Sequence, residues 1–576
     1  MLTADQISAL RDRSEQLLDP VTNFLIEDIT RRVKEAGQLT GTASYQTWRL
    51  QNLGMSQRQL KKEIAKRLEI SLADAEKLLT QAAETGYNFD ISRFPNTQAI
   101  PLSANSSLQQ ILEATVAQAR ADLTNMTQTM GFVGADDICR PLTQAYQQAC
   151  DFAFQKISTG AQDYVSAIRD ATWGLAEKGI RTIDYKSGYH ISIEAAVRQN
   201  MMGGMGIMQN HIAQENHDTL GCNGWEISAH EASAPDHEPI QGKQYSDAEY
   251  EALNNSLARR IGTLHCGHYA SPIILGVHSP QYTEEELEDM RRRNEEGVTF
   301  DGRHYTGFEA TQRQRKFERS IRKQQRRILV DETAEDTAKL QTDQIRLQRL
   351  KQEYKRFSEG VDLPMQYERL DTAGFTWKHA KAAEAVANDP FINPPDDLEE
   401  LSAKIDKALN TYSSRSSKWS GKTVVMTREQ MPKANGRKEW NCDISLRNNV
   451  GMKTVVHEHL HARSVSYFDP KTYLENQNAE EGAVEFYAQE ICKKNGVEFK
   501  GSYSEKVKPL HIINNILRNG DRYSFAKQLF DIPLPSRYNW LREQADQLIA
   551  TGKLSKKTVK GLNDAVEFFR PVEGVV

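Results

Sequence analysis

One short run near the C-terminus constrains this chain more than any other feature. It is His457-Glu458-His459-Leu460-His461, which has the pattern H-E-x-x-H. Residues 452–456 favour a helix, and on a helix two residues four positions apart lie on the same face. His457 and His461 are therefore expected to bind one metal ion, and zinc is suited to this because it accepts neutral imidazoles and leaves a position open. Glu458 lies about 100° around the helix from His457, so we expect it to act as a general base toward a water molecule.

The sequence on either side of this run extends the expected site. Upstream, residues 440–447 alternate apolar and polar side chains, which predicts a half-buried strand. Residues 448–451 predict the turn into the helix. Downstream, Glu481 shares a predicted helix face with apolar residues of the following turns, and a buried carboxylate needs a partner because burying it alone is costly. A metal ion would be such a partner.

A strand followed by an H-E-x-x-H helix resembles the zincin metallopeptidases, in which the edge strand holds the substrate backbone by β-pairing. The later pattern Glu-Gly-x-x-Glu at residues 481–485 is similar to the helix that supplies the third ligand in gluzincins, where the glutamate before the glycine binds zinc. The resemblance implies that Glu481 is the third ligand, with Glu485 and Glu480 as the next candidates. It also implies Zn²⁺ as the cofactor and a peptide or protein as the substrate.

Other residues of this region have less defined expected roles. His459 lies off the metal-binding face and is expected to be structural or to support a ligand. An oxyanion-stabilising tyrosine or histidine is expected as well. The candidates for that role are Tyr467, Tyr487 and His511. The alternative for the whole region is a surface helix that binds no metal.

Length and composition set wider bounds. A chain of 576 residues is expected to hold several domains. A formal net charge of −5 is small for this length and excludes a polycation that binds nucleic acid over its whole surface. The six cysteines include no C-x-x-C pair, which indicates reduced thiols in a cytosolic setting. The polar start and the lack of a run of about 20 apolar residues predict neither a secretion signal nor a membrane span.

The first 185 residues show the periodicity of successive amphipathic helices. They include a predicted helical pair, residues 57–68 and 72–85, with Ser71 as the N-cap of the second helix. Helical spacing resumes from residue 108 to about residue 176. No residue in this part has catalytic spacing, so a helical scaffold is expected.

The composition changes from residue 185 onward, and several short motifs follow. They include Ser187-Gly188-Tyr189, the Ala-Ala-Val-Arg-Gln segment at 195–199, Ser228-Ala229-His230, Pro235-x-His237, Gln241-Gly242-Lys243 and Cys266-x-His268. Together with residues 37–54 and 301–327, these motifs closely resemble the phage minor capsid protein 2 family over residues 1–372. The resemblance implies a minor head protein of the virion, present in few copies and without enzyme activity in this part. It further implies phage portal and capsid proteins as partners, and a location in the phage head, or in the host cytoplasm during assembly or after ejection.

A group of potential metal ligands lies within these motifs. Its members are His230, His237, Cys266 and His268. Their types suit zinc, but their spacing is not that of a standard zinc finger. Two interpretations remain open: a second metal cluster, and a hydrogen-bonded histidine core that fixes the loops.

A strongly basic stretch lies in the charged, helical residues 282–359. Between Thr311 and Arg327, eight basic residues stand against one acid, Glu318. The eight are Arg313, Arg315, Lys316, Arg319, Arg322, Lys323, Arg326 and Arg327. Such a stripe can contact the phosphates of packaged DNA in a salt-dependent manner that ignores base sequence. The alternative is a solvated helix face.

The predicted fold is multidomain and mainly α. The expected parts are a helical N-terminal region (1–185), a core with the His/Cys motifs (186–281), a charged helical or coiled-coil segment (282–372), a proline-punctuated linker (373–400) and an α+β zincin-like domain (401–576). The expected function is a phage minor head protein that carries a zinc-dependent endopeptidase or effector domain. The alternative is a purely structural head protein near the portal that contacts packaged DNA and carries an inactive C-terminal domain.

Overall fold

The computed structural model describes residues 4–54, 56–95, 100–184, 187–263, 266–372, 374–464, 469–500, 504–517 and 521–572. Helix accounts for 65% of the structure and strand for 8%, which confirms a mainly helical, multidomain chain with small sheets. The chain divides into two compact units, residues 1–383 and residues 384–576. Within the described ranges, no helix has both the length and the apolar character that a membrane crossing requires.

The first unit is built mainly from helices. They are α1 (Ala4–Glu15), α2 (Asp19–Gly37), α3 (Thr42–Arg49), α4 (Ser56–Ser92), α5 (Ser106–Gln128), α6 (Leu142–Ser158), α7 (Tyr164–Lys178), α8 (Ile193–Leu220), α9 (Asp247–Ser256), α10 (Glu284–Glu296), α11 (Gly307–Ala334) and α12 (Thr337–Gly360). A π-helical turn at Leu50–Gly54 and 3-10 turns at Leu102–Ala104 and Tyr367–Leu370 accompany them.

Three small sheets complete the first unit. Their strands are β1 (Met130–Val133), β2 (Cys139–Pro141), β3 (Arg181–Ile183), β4 (His190–Ser192), β5 (Gly224–Ile227), β6 (Gln244–Ser246), β7 (Ala270–Ile273), β8 (Val298–Phe300) and β9 (Arg303–Tyr305). The strand orders are β2-β1-β3-β4, β6-β5-β7 and β8-β9, and all pairs are antiparallel.

Helix α8 packs against α1, α4 and α5, and its buried side chains join the main core of the unit. Helices α11 and α12 form an antiparallel hairpin around a two-residue connection, in which Glu335 adopts a left-handed conformation with φ of 60°. Ile321, Ile328 and Leu347 fill the space between these two helices. Since the basic stretch lies on α11, this packing decides which of its side chains remain accessible.

Two local predictions in the first unit are wrong. The expected helical pair is one continuous helix, α4, and Ser71 lies buried inside it, where its hydroxyl donates to the carbonyl of Arg67. The region from residue 108 to 176 is not helical throughout, because β1 and β2 interrupt it. Strands of three or four residues are too short to show an alternation of apolar and polar side chains in the sequence. The two strands lie close together at Gly131, where a Cβ would be 2.0 Å from the carbonyl oxygen of Arg140.

Helix α13 (Trp377–Asn388) occupies part of the predicted linker at residues 373–400. Five alanines between positions 380 and 387 favour helix there, and the prolines that suggested a linker come only after the helix has ended. Asp397 caps the next helix by accepting a hydrogen bond from the amide of Glu400.

The second unit combines helices with one sheet. Its helices are α14 (Leu398–Ala408), α15 (Met452–His461), α16 (Pro470–Glu475), α17 (Gln477–Lys494), α18 (Ser504–Leu517), α19 (Arg522–Asp531), α20 (Leu534–Ala550) and α21 (Lys556–Glu567), with a 3-10 turn at Leu409–Thr411. Its strands are β10 (Thr423–Met426), β11 (Gly436–Lys438) and β12 (Ile444–Arg447).

Strand β12 is the central strand, parallel to β10 and antiparallel to β11. The strand predicted for residues 440–447 is therefore half as long as expected, and it is not an edge strand. Residues 439–443 form the turn between β11 and β12, because Cys442 adopts a φ of 69° and its amide donates to the carbonyl of Glu439. The edge position next to α15 belongs to β11.

Helices α15 and α17 pack against each other in the core of the second unit. Val455, Leu460, Val484 and Ile491 are fully buried there. Each such side chain contributes about 1.5–3 kcal/mol of burial free energy. This apolar packing fixes the faces of α15 and α17 that carry polar side chains, and so prepares the geometry of the site between them.

Candidate metal centre

Three buried side chains converge between α15 and α17: His457, His461 and Glu481. The two Nε2 atoms of the histidines lie 3.1 Å apart. Oxygens of Glu481 lie 3.4 Å from Nε2 of His457 and 3.5 Å from Nε2 of His461. The i, i+4 spacing on α15 sets the first pair, and the packing of α17 on α15 brings the carboxylate to it.

These separations fit a zinc ion. Zinc bonds to nitrogen and oxygen of about 2.0–2.1 Å in a tetrahedron place neighbouring ligand atoms about 3.3–3.4 Å apart. The two Nε2 atoms lie nearly that far from each other, and each lies nearly that far from one oxygen of Glu481. In addition, Oε2 of Glu481 is buried and accepts no hydrogen bond from the residues that the structure describes. A buried carboxylate oxygen without a donor is costly, and a cation would offset that cost.

Two further glutamates orient the histidine rings. Nδ1 of His457 lies 2.9 Å from Oε2 of Glu485, and Nδ1 of His461 lies 2.9 Å from Oε1 of Glu480. Lys453 donates to Glu485, and Arg537 donates to Glu480 over 2.5 Å. Carboxylates in this position fix the ring and the tautomer of a metal-binding histidine. Glu480 and Glu485, the alternative ligands considered from the sequence, thus contact the outer side of the histidines.

When both rings are neutral, as binding of a metal ion requires, the carboxylates next to Nδ1 favour tautomers that turn three electron-rich atoms toward each other. With the proton on Nδ1 of each ring, both Nε2 atoms present lone pairs to one another and to Glu481. Burial alone would lower the pKa values of the histidines, but the surrounding carboxylates overcome it and raise the pKa to about 9 for His457 and about 10 for His461. The pocket therefore strongly favours positive charge, which a divalent cation supplies.

Glu458 lies beside this group and does not belong to it. Its Oε2 accepts a hydrogen bond of 2.8 Å from the amide of Lys438 in β11. Burial raises the pKa of its carboxyl above the ordinary value, against the effect of the two histidines. Strand β11 can lie this close because residue 436 is glycine: a Cβ there would be 2.9 Å from Cγ of Glu458.

Sequence reasoning missed Tyr473, whose hydroxyl donates to Oε1 of Glu481 over 2.7 Å. Among the oxyanion candidates, Tyr487 donates instead to the carbonyl of Tyr412, and His511 packs edge-on against Phe486. The third candidate, Tyr467, lies outside the described residues. No spacing in the sequence identifies Tyr473, because the turn between α16 and α17 brings it to the site.

His459 faces away from the other two histidines of the run. Its Nε2 lies 2.6 Å from the hydroxyl of Ser402, and its Nδ1 lies 3.2 Å from Asp406, both on α14. Burial lowers the pKa of this imidazole. His459 thus ties α15 to α14 and has no contact with Glu481 in the described structure.

In the first unit, three of the four predicted His/Cys ligands come together: His237, Cys266 and His268. Sγ of Cys266 lies 3.4 Å from Nδ1 of His237 and 3.7 Å from Nδ1 of His268. His230 stacks on the ring of His268 instead, at 4.3 Å between centroids. These distances fit the separation of about 3.6 Å between sulfur and nitrogen on one zinc ion, and they also fit a core held by hydrogen bonds. Both interpretations therefore stay open.

The basic residues of α11 are largely engaged inside the first unit. Arg322 pairs with Glu15 at 3.1 Å, and Arg326 pairs with Glu194 at 2.7 Å. Lys323 and Arg327 both pair with Glu177. The guanidinium of Arg313 lies over the ring of Phe317, and Arg315 and Arg319 line a cavity. Lys316 is exposed. This arrangement gives little support to a continuous DNA-binding stripe, and DNA contact stays a prediction.

Comparison with protein families matches residues 2–359 to the family described as phage minor capsid protein 2. Comparisons with curated proteins and with solved structures give no match. The matched residues comprise α1 to nearly the end of α12 in the first unit, and they do not include the candidate metal centre.

Proposed function

This chain belongs to the phage minor capsid protein 2 family, and we propose that it joins a structural role in the phage head to a zinc-dependent peptidase activity in residues 401–576. Family membership supports the structural role and a location in the virion. It confirms the resemblance drawn from the motifs of the first unit. Portal and capsid proteins are the partners we propose for that unit.

The observation that carries the peptidase proposal is the convergence of His457, His461 and Glu481, with Glu458 next to them. The first three would hold the zinc ion. When bound, zinc acidifies water and polarises a carbonyl group. Each of the two histidines has its own carboxylate on the outer side, which is an arrangement that raises ligand basicity.

Residues of this chain would carry out the proton transfer and stabilise the oxyanion. Glu458 takes a proton from the attacking water and passes it to the amine that leaves when the peptide C–N bond breaks. The hydrogen bond from the amide of Lys438 holds one oxygen of Glu458 in place while the other remains for the proton. Tyr473 is positioned through Glu481 and is our candidate for a hydroxyl that stabilises the developing oxyanion.

Strand β11 is the proposed substrate-binding edge. Its inner side pairs with β12, whereas the amide of Lys438 points outward to Glu458. An extended peptide added along this outer edge would gain main-chain hydrogen bonds and lie beside the candidate base. The same edge is short, so side-chain contacts beyond β11 would have to contribute to specificity.

Metal removal tests this proposal. Full-length protein should hydrolyse members of a mixed library of quenched fluorescent peptides, lose that activity when a chelator strips the metal, and regain it when about one equivalent of Zn²⁺ is returned. Hydrolysis that continues after metal analysis has established complete removal would contradict the proposal. The family role of the first unit does not depend on this result.

A further inference from the structure

A cavity of about 350 Å³ lies in the first unit, far in sequence from the candidate metal centre. Helix α11 supplies one wall with Arg315, Arg319 and Arg322. Four more arginines reach the same space from α1, α8, the connection before β7 and the 3-10 turn after α12. They are Arg11, Arg198, Arg259 and Arg369.

Two carboxylates lie among the residues that line the cavity. Glu15, on the cavity wall, lies 2.6 Å from Arg198 and 3.1 Å from Arg322. Glu318, also on the wall, lies 3.8 Å from Arg369, and Asp236 pairs with Arg259 at 2.9 Å. The described lining of the cavity therefore contains seven arginines and two glutamates.

The enclosing walls strengthen the positive electrostatic potential inside the cavity, because a cleft lined by one sign of charge focuses the electric field. The pKa of Arg319 is consistent with a positive potential in the cavity. Loss of hydration, together with the positive charges of Arg198 and Arg322, lowers the pKa of its guanidinium from the ordinary value. An anion in the cavity would relieve this repulsion.

We propose that this cavity binds a small anion with two or more phosphate groups, such as pyrophosphate or the phosphate chain of a nucleotide. Guanidinium groups bind phosphate oxygens in pairs, with geometry that an ammonium does not match. A single phosphate carries about −1.5 to −2 at neutral pH and would leave much of the charge excess unbalanced. The volume is that of a small-molecule site and cannot admit a DNA duplex.

Uncharged residues form another part of the cavity wall. They are Phe308, Ala232 and Ala234, beside the histidines His230 and His268. Such a wall suits the organic part of a nucleotide, whereas pyrophosphate would use the arginine wall alone.

Titration calorimetry on the full-length protein, in magnesium-free buffer of fixed ionic strength, tests the proposal with pyrophosphate as the probe. We expect one pyrophosphate per chain, and weaker binding of orthophosphate. Arg319→Gln should weaken pyrophosphate binding about tenfold or more. Lys316→Gln is the matched control, since Lys316 lies on the same helix, is exposed and is absent from the cavity wall. It should change the affinity less than about twofold, because solvent and salt screen an exposed charge that lies outside the cavity wall.

Two results would overturn the proposal. One is the absence of saturable binding at millimolar pyrophosphate. The other is equal weakening of pyrophosphate binding by Arg319→Gln and Lys316→Gln. That result would show that only the loss of one positive charge matters, and not its position on the cavity wall. Because Arg319 is not among the buried residues of the core, its substitution leaves the core intact, and Arg315→Gln provides a second variant on the same wall.

Discussion

Glu458→Gln is expected to retain zinc and to lose about 10²–10⁴-fold in the rate of peptide hydrolysis, the contribution typical of a positioned general base. Glutamine has the shape of glutamate, and its carbonyl oxygen can still accept the hydrogen bond from the amide of Lys438. It cannot take a proton from water. Since Glu458 stands outside the group formed by His457, His461 and Glu481, metal content should not change. Steady-state hydrolysis and metal analysis on the same preparation measure both effects.

The matched control is Glu399→Gln, which removes the same charge from an exposed position in the first turn of α14. It should hydrolyse peptides at the rate of the unsubstituted protein. The role of Glu458 as the base would be refuted by a Glu458→Gln variant as active as that control. Loss of zinc from Glu458→Gln would instead indicate that its carboxylate helps to bind the metal.

Arg537→Ala is expected to destabilise the second unit by about 3–5 kcal/mol, the cost of leaving one partner of a buried ion pair without the other. The side chains of Arg537 and Glu480 are both fully buried, with 2.5 Å between Nη1 and Oε2. Arg537 also donates to the carbonyls of Ile532 and Phe530. Hydrogen exchange of amides in α17 should accelerate by a hundredfold or more wherever exchange requires this unit to open.

Arg542→Ala, eight residues before the end of the same helix, is the comparison. Arg542 pairs with Asp546, whose side chain is 61% exposed, so its removal should cost about 1 kcal/mol or less. Similar exchange rates in the two variants would mean that the Arg537–Glu480 pair does not stabilise α17. In that case Arg537 would not be needed to hold Glu480 against His461.

The parts of the site that the sequence predicted are those governed by local spacing. The positions of His457 and His461 follow from four residues of helix, and the face that carries Glu481 follows from apolar periodicity in α17. Each of these depends on a few neighbouring residues, so no tertiary contact was needed to find them.

The parts that escaped prediction depend on contacts distant in sequence. Arg537 meets Glu480 across 57 residues, and its helix carries no signal for that partner. Strand β11 has three residues, Gly436-Arg437-Lys438, without apolar alternation, so its pairing with β12 creates it. The strand predicted at 440–447 forms only at Ile444–Arg447. The preceding residues turn at Cys442, whose left-handed conformation the sequence does not indicate because the residue is neither glycine nor asparagine.

The metal content of full-length protein tests the central claim, that two imidazoles of α15 and the carboxylate of Glu481 hold one zinc ion. Mass spectrometry of metals after exhaustive dialysis should find one zinc per chain fewer in His457→Ala than in the unsubstituted protein, and the same deficit in Glu481→Gln, which preserves side-chain shape. Cys266→Ser reports separately on the His/Cys cluster of the first unit. Equal zinc in the unsubstituted protein, His457→Ala and Glu481→Gln would contradict the claim.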